Sequence, residues 1–174
     1  MIPAAHRTRG FRLISGSVAL ALVLTILPAA ATANAGDAED APVKLSELKC
    51  FIMPKRGVEG KKVVDWKEGK LYLCCTACVK RVEKYPERYA AGANHQLLQT
   101  GQYMQAACPI SGGELASDAP TLTIGGVEVK FANAEHKKEV ESIEEEKDQV
   151  AKVFRDEAFE KAFFKPVPKE EDAK

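Results

Sequence analysis

The sequence lacks the motifs that identify the commoner enzyme classes. Its 174 residues contain no Gly-x-Ser-x-Gly nucleophile motif, no glycine-rich phosphate-binding loop and no His-Glu-x-x-His pair. There are only three histidines, so a Cys-His nucleophile would need a base that the fold brings near a cysteine. We therefore assign no catalytic residue and expect a protein that is not an enzyme, with thiol redox activity left open.

An excess of charge of one sign is also missing, because 25 basic residues balance 25 acidic ones. This balance argues against a nucleic-acid-binding protein, which usually carries a basic excess. With 12 glycines, 9 prolines and 29% charged residues, the chain is neither collagen-like nor of low complexity. The apolar run at residues 13–27 is shorter than the roughly 20 residues that a membrane-spanning helix needs.

The first 35 residues have the three parts of a secretory signal peptide. Three arginines and no acidic residue precede the apolar run, and an Ala-x-Ala sequence follows it, from Ala33 to Ala35. We predict cleavage near Ala35 and export to the periplasm or the medium, with no membrane attachment after cleavage. An uncleaved membrane anchor is the alternative.

Five cysteines lie within 59 residues of the predicted mature chain: Cys50, Cys74, Cys75, Cys78 and Cys108. Because their number is odd, an exported protein would keep at least one unpaired thiol unless a metal holds it or it links two chains. A dimer formed through this odd cysteine is therefore one possible partner arrangement.

The cysteine region contains a repeat with an offset of 58 residues and no gap. Three pairs of positions share this offset: Cys50 with Cys108, Cys74 with Ala132, and Cys78 with His136. A repeat with only two copies indicates a tandem pair rather than a longer array. In the second copy one cysteine has been lost and another exchanged for histidine, so we interpret that copy as degenerate.

We divide the chain on this basis into six segments. They are a signal peptide (1–35), a mobile linker (36–47), a metal-binding unit (48–92), a connecting segment (93–107), a degenerate second unit (108–165) and a polar tail (166–174).

Each unit shows the pattern of a β-hairpin followed by a helix, which predicts an α+β fold. Runs rich in β-branched and aromatic residues flank a glycine-containing turn in both units, at 61–74 and 121–131. A short helix is predicted from Thr76, limited by Pro86. After Asn133, a plausible helix cap, apolar residues recur at helical spacing up to Phe163 and predict one long C-terminal helix.

The spacing of the first unit's cysteines favours a metal site. Cys74 and Cys78 are four residues apart at the start of the predicted helix, so both point to one side, and the helix N-terminus favours their thiolates. Cys50 can reach the same point if the hairpin folds over. Three thiolates suit one zinc or copper(I) ion per chain. Cys75 is a less favoured fourth ligand, because it is adjacent to Cys74.

These motifs resemble the YHS/TRASH type of small metal-binding domain. The matching features are Cys50, the strand Gly-Lys-Leu-Tyr-Leu-Cys that ends at Cys74, then Cys78, and the Tyr-Pro-Glu-Arg-Tyr sequence that ends at Tyr89. In the second unit, the opening Cys-Pro-Ile-Ser-Gly at Cys108 matches as well. The resemblance implies treble-clef-like units and a role in heavy-metal binding, sensing or trafficking.

Other interpretations of the cysteines remain open at this stage. The protein can be a disulfide-stabilised interaction module that presents its hairpins or C-terminal helix to a protein partner. The sequence Cys75-x-x-Cys78 also matches a thiol-disulfide oxidoreductase motif. Cys108 and His136 are a weak candidate metal pair, since two ligands rarely hold zinc. His95 is interpreted as a surface histidine.

Overall fold

The described part of the chain folds into four short antiparallel strand pairs and five helices. The computed structural model describes residues 43–168. The strands are β1 (Lys49–Cys50), β2 (Met53–Gly57), β3 (Glu59–Trp66), β4 (Gly69–Leu73), β5 (Tyr103–Gln105), β6 (Thr121–Ile124), β7 (Val127–Lys130) and β8 (Phe164–Pro166). The helices are α1 (Thr76–Lys84), α2 (Pro86–Gln99), α3 (Ala134–Glu141), α4 (Glu146–Val153) and α5 (Asp156–Glu160). Strands pair as β1 with β2, β3 with β4, β5 with β8 and β6 with β7. The predicted α+β fold of hairpins and helices is confirmed.

The two main hairpins have the same register at the offset of 58 residues. The regular ladder of β3–β4 runs from the pair Val63 and Tyr72 to the pair Trp66 and Gly69. That of β6–β7 runs from Thr121 and Lys130 to Ile124 and Val127. The helices that follow begin at Thr76 and at Ala134, which are also 58 positions apart. Both segments therefore have the same local architecture.

Each hairpin buries one face of its second strand. Leu71 and Leu73 of β4 are fully buried, while Lys70 of the same strand is exposed. Val129 of β7 and Phe131 just beyond it are buried in the same way. Side chains alternate between the two faces of a strand, which accounts for this spacing of two. Burial of each such side chain stabilises the fold by about 1.5–3 kcal/mol.

Helix α2 crosses the expected boundary between residues 92 and 93. It begins at Pro86, whose fixed φ suits the first helical position, and it turns a buried polar side toward the first hairpin. The side-chain amide of Gln96 accepts from the backbone N–H of Tyr72 (2.7 Å) and donates to its carbonyl (2.9 Å). Trp66 donates to the Asn94 side chain over 2.8 Å. Residues 93–99 are therefore an integral helix and not a connecting segment.

The predicted long C-terminal helix is wrong, because α3, α4 and α5 are separate. A straight helix over residues 134–163 would be about 45 Å long and would carry much of its apolar face beyond the core. Glu141 and Glu145 would also repel each other at four-residue spacing. Instead the backbone is extended at Glu145 (φ −94°, ψ 120°), and Gln149 caps the freed carbonyl of Ile143 (2.8 Å). The break lets all three helices contribute to one core.

Both ends of the described chain are fixed by backbone contacts. The Val43 N–H donates to the Gln99 carbonyl over 2.8 Å, so the predicted linker 36–47 is ordered in its last residues. The predicted polar tail begins too early, because Pro166 pairs with Tyr103 in the β5–β8 sheet. The predicted signal peptide lies outside the described residues. Within residues 43–168, no helix has the length and apolar character to cross a bilayer.

Candidate metal centre

The first unit brings its cysteines together at the junction of hairpin and helix. Cys50 ends β1, Cys74 follows β4, and Cys78 lies in the first turn of α1. Their three sulfur atoms all lie within 4.8 Å of one another, close enough to hold one metal ion. All three side chains are buried, at 0%, 1% and 1% exposure.

Cys75 contributes a fourth sulfur to the same place. Its Sγ lies 3.8 Å from that of Cys74 and 3.6 Å from that of Cys78, and the latter two are 3.7 Å apart. Sulfur ligands about 2.3 Å from a tetrahedral metal are about 3.8 Å from each other. The three distances thus match the edges of one face of a metal–thiolate tetrahedron. The objection that neighbouring cysteines cannot both face one ion does not hold here.

The backbone at Cys75 explains how two adjacent cysteines converge. Cys75 is the N-cap of α1 and is extended (φ −166°, ψ 163°), and its carbonyl accepts from the N–H groups of Cys78 and Val79. The chain passes from strand to helix at this residue, so the alternation of faces along a strand ends there. The signal present in the sequence was the Cys75-x-x-Cys78 spacing at the helix start.

The local environment separates the four thiols into two kinds. Burial opposes ionisation of Cys50, but the backbone amides of Cys74 and Met53 outweigh it, so its pKa lies below the ordinary value. The backbone amide of Cys78 likewise lowers the pKa of Cys75. Burial raises the pKa values of Cys74 and Cys78. A bound cation is what would favour loss of the remaining protons, because thiols ionise when they coordinate metal.

The second unit keeps the backbone amides that surround the first cysteine of the site, but it does not keep the site's ligand set. The Sγ of Cys108 lies 3.7 Å from Nδ1 of His136. Burial opposes ionisation of Cys108, but the backbone amides of Ala132 and Ser111 lower its pKa overall. The residues 58 positions earlier supply the corresponding amides to Cys50. Two of the sequence-predicted ligands are thus brought together here, without a third.

His95 is buried, so its interpretation as a surface residue was wrong. It is 8% exposed, its Nε2 lies 3.1 Å from the Ile124 carbonyl, and its ring centroid lies 4.8 Å from that of Phe154. Polar neighbours in the sequence concealed this position, because the side of α2 that carries residues 94–96 faces the core. Burial lowers the pKa of His95 to about 4.

This burial predicts a loss of stability in mild acid. The unfolded chain binds a proton at His95 near its ordinary pKa of about 6.5, whereas the folded chain does so near pH 4. The contribution of neutral His95 to the unfolding free energy is therefore complete above pH 6.5, and it declines as the pH falls toward 4. Between pH 7 and pH 5 we expect His95 to account for a decrease of about 2 kcal/mol in unfolding free energy.

Urea unfolding at both pH values, with the His95→Gln variant beside the parent chain, measures this contribution. The variant should show a smaller decrease between pH 7 and pH 5. Equal decreases in the two proteins would assign the pH dependence to other groups.

All five cysteines are free thiols, and each lies in the described part of the chain. The observed sulfur separations far exceed the disulfide bond length of about 2.05 Å.

Comparison with protein-family models, with curated proteins and with solved structures gives no match.

Proposed function

We propose that the protein binds one zinc or copper(I) ion through the thiolates of Cys50, Cys74 and Cys78, with Cys75 as a fourth ligand. The observation that supports this most directly is the convergence of their sulfur atoms from three separate elements. Without a metal, contacts among buried thiols would contribute little to the stability of the fold. Bonds from the thiolates to a central ion would explain why the sulfur atoms converge.

The donor set favours a soft or borderline metal. Thiolates select zinc and copper(I), whereas magnesium and calcium prefer oxygen ligands. Four thiolates suit tetrahedral zinc, and the buried set of three also suits copper(I). Amides around Cys50 stabilise its negative charge, as expected for a metal-bound thiolate.

Export and a role in heavy-metal trafficking or sensing complete the proposal. The sequence of residues 1–35 supports export, and the resemblance to YHS/TRASH domains supports the metal-related role. A bound ion would also protect the thiols in an oxidising compartment, where free cysteines otherwise form disulfides.

Substitution of Cys78 by serine tests the site assignment. Because Cys78 supplies one of three buried ligands, the Cys78→Ser variant should lose the equivalent of one metal ion per chain in titrations with zinc or copper(I). Cys108→Ser is a matched control, since Cys108 is as fully buried as Cys78 and lies outside the cluster. Unchanged stoichiometry and melting temperature in Cys78→Ser would refute the assignment.

One observation favours a second candidate, a thiol-disulfide oxidoreductase. Cys75 is partly exposed, has a lowered pKa and lies 3.6 Å from buried Cys78. These are the features of an attacking and a resolving thiol. Turnover of a dithiol substrate by the metal-free protein, abolished by Cys75→Ser, would support this candidate over the metal site.

A further inference from the structure

The four sulfur atoms differ sharply in their accessibility. Cys50, Cys74 and Cys78 are at most 1% exposed, whereas Cys75 is only partly buried. Cys75 nevertheless lies at tetrahedral edge distances from two of the buried sulfurs. A ligand arriving from solvent therefore meets Cys75 first.

We infer that Cys75 is the exchange ligand of the centre, through which metal passes to a partner that presents a thiolate. This inference rests on the proposed metal-binding function. In the first step, a bond forms between the metal and the acceptor's thiolate sulfur, and the bond to Cys75 breaks, so that Cys75 leaves as a thiolate. The three buried thiolates hold the ion during this step and are then displaced in turn by further sulfur ligands of the acceptor. No atom changes its oxidation state.

The second unit shows which role the same position takes when no metal site is present. Asn133, 58 positions after Cys75, is also an extended N-cap (φ −157°, ψ 171°). Its side chain accepts from the His136 N–H over 2.9 Å and so caps α3. The thiol of Cys75 makes no side-chain cap hydrogen bond for α1, although the Cys78 amide is near enough to lower its pKa. Since sulfur is a weaker acceptor than an amide oxygen, the first unit has a weaker N-cap at this position and keeps there the most accessible sulfur of the cluster.

Competitive metal transfer tests the inference on the full mature chain. The parent protein and its Cys75→Ser and Cys108→Ser variants are first loaded with zinc. Each is then mixed with the colorimetric chelator 4-(2-pyridylazo)resorcinol and, in parallel, with glutathione. Cys75→Ser should retain one ion per chain but release it faster. Loss of an outer-shell partner alone typically weakens metal binding about 10–100-fold, so we expect release to be at least about tenfold faster. Cys108→Ser should release zinc at the parent rate.

Alkylation of the unmodified protein provides a measurement that needs no variant. Iodoacetamide should label Cys75 of the zinc-loaded chain before the three buried cysteines, as mapped by peptide mass spectrometry. Simultaneous labelling of all four, a parental release rate in Cys75→Ser, or complete loss of metal from that variant would each overturn the exchange role. If the parent and Cys108→Ser bind no metal at all, the proposed function itself fails.

Discussion

Chelation of the bound metal is expected to lower the midpoint of thermal unfolding by about 10–20 °C. A ligand present at a thousand times its dissociation constant stabilises the folded state by about 4 kcal/mol. For a domain of this size, each kilocalorie per mole shifts the midpoint by several degrees. The effect is large because a bound ion would join β1, the end of β4 and the start of α1. Calorimetry with and without a chelator measures the shift.

Cysteine variants show whether the shift on chelation comes from metal bound at the cluster or from a general effect of the chelator. Cys108→Ser should show the same shift on chelation, since its site lies outside the cluster, and added zinc should restore the midpoint. Cys74→Ser should show little or no shift, because it has no tightly bound ion to lose. A chelator-insensitive midpoint in the parent chain would mean that the ion, if bound, does not stabilise the fold.

Replacement of Phe154 by alanine is expected to cost about 3–5 kcal/mol of unfolding free energy, as buried Phe-to-Ala changes generally do. Phe154 is fully buried. Its ring centroid lies 4.8 Å from that of His95 in α2 and 5.6 Å from that of Phe164 in β8. Its carbonyl also accepts from the Asn94 side chain over 3.0 Å. Phe154 thus connects the C-terminal segment of the chain to α2.

Urea unfolding monitored by circular dichroism measures this cost. Val167→Ala is the control, because Val167 is 40% exposed, and it should change the unfolding free energy by less than about 0.5 kcal/mol. A loss below about 1 kcal/mol in Phe154→Ala would show that the aromatic cluster contributes little to the fold.

The hairpins, α1 and the common side of Cys74 and Cys78 could be predicted because each depends on local information. Segments with the alternating pattern of a β-strand flank a turn and so predict the hairpins. The four-residue spacing of Cys74 and Cys78 places both side chains on the same side of the predicted helix. The 58-residue offset also carried information, since the hairpin registers repeat it.

The polar side of α2 could not be predicted from the sequence. Asn94, His95 and Gln96 are ordinary surface residues by composition, and they are buried only because their partners are distant in the sequence. Those partners are the indole of Trp66, the carbonyl of Ile124 and the backbone of Tyr72. A buried polar group is stable when it is hydrogen-bonded, and such pairing depends on the tertiary fold.

The break in the C-terminal helix was missed for a related reason. Apolar residues from Val140 to Phe163 do recur at helical spacing, but periodicity does not reveal how long the core is. The exposed glutamates near residue 145 lie where the helical pattern is interrupted, between the end of α3 and the start of α4.

Native mass spectrometry of the mature protein, with a count of alkylated thiols on the same sample, tests the metal centre most directly. We expect one zinc or copper ion per chain, with Cys50, Cys74 and Cys78 protected until a chelator is added. A metal-free mass that is two or four hydrogens lower than that of the reduced chain would contradict the metal centre. The cysteines would then be bridged, and the protein would be a disulfide-stabilised module.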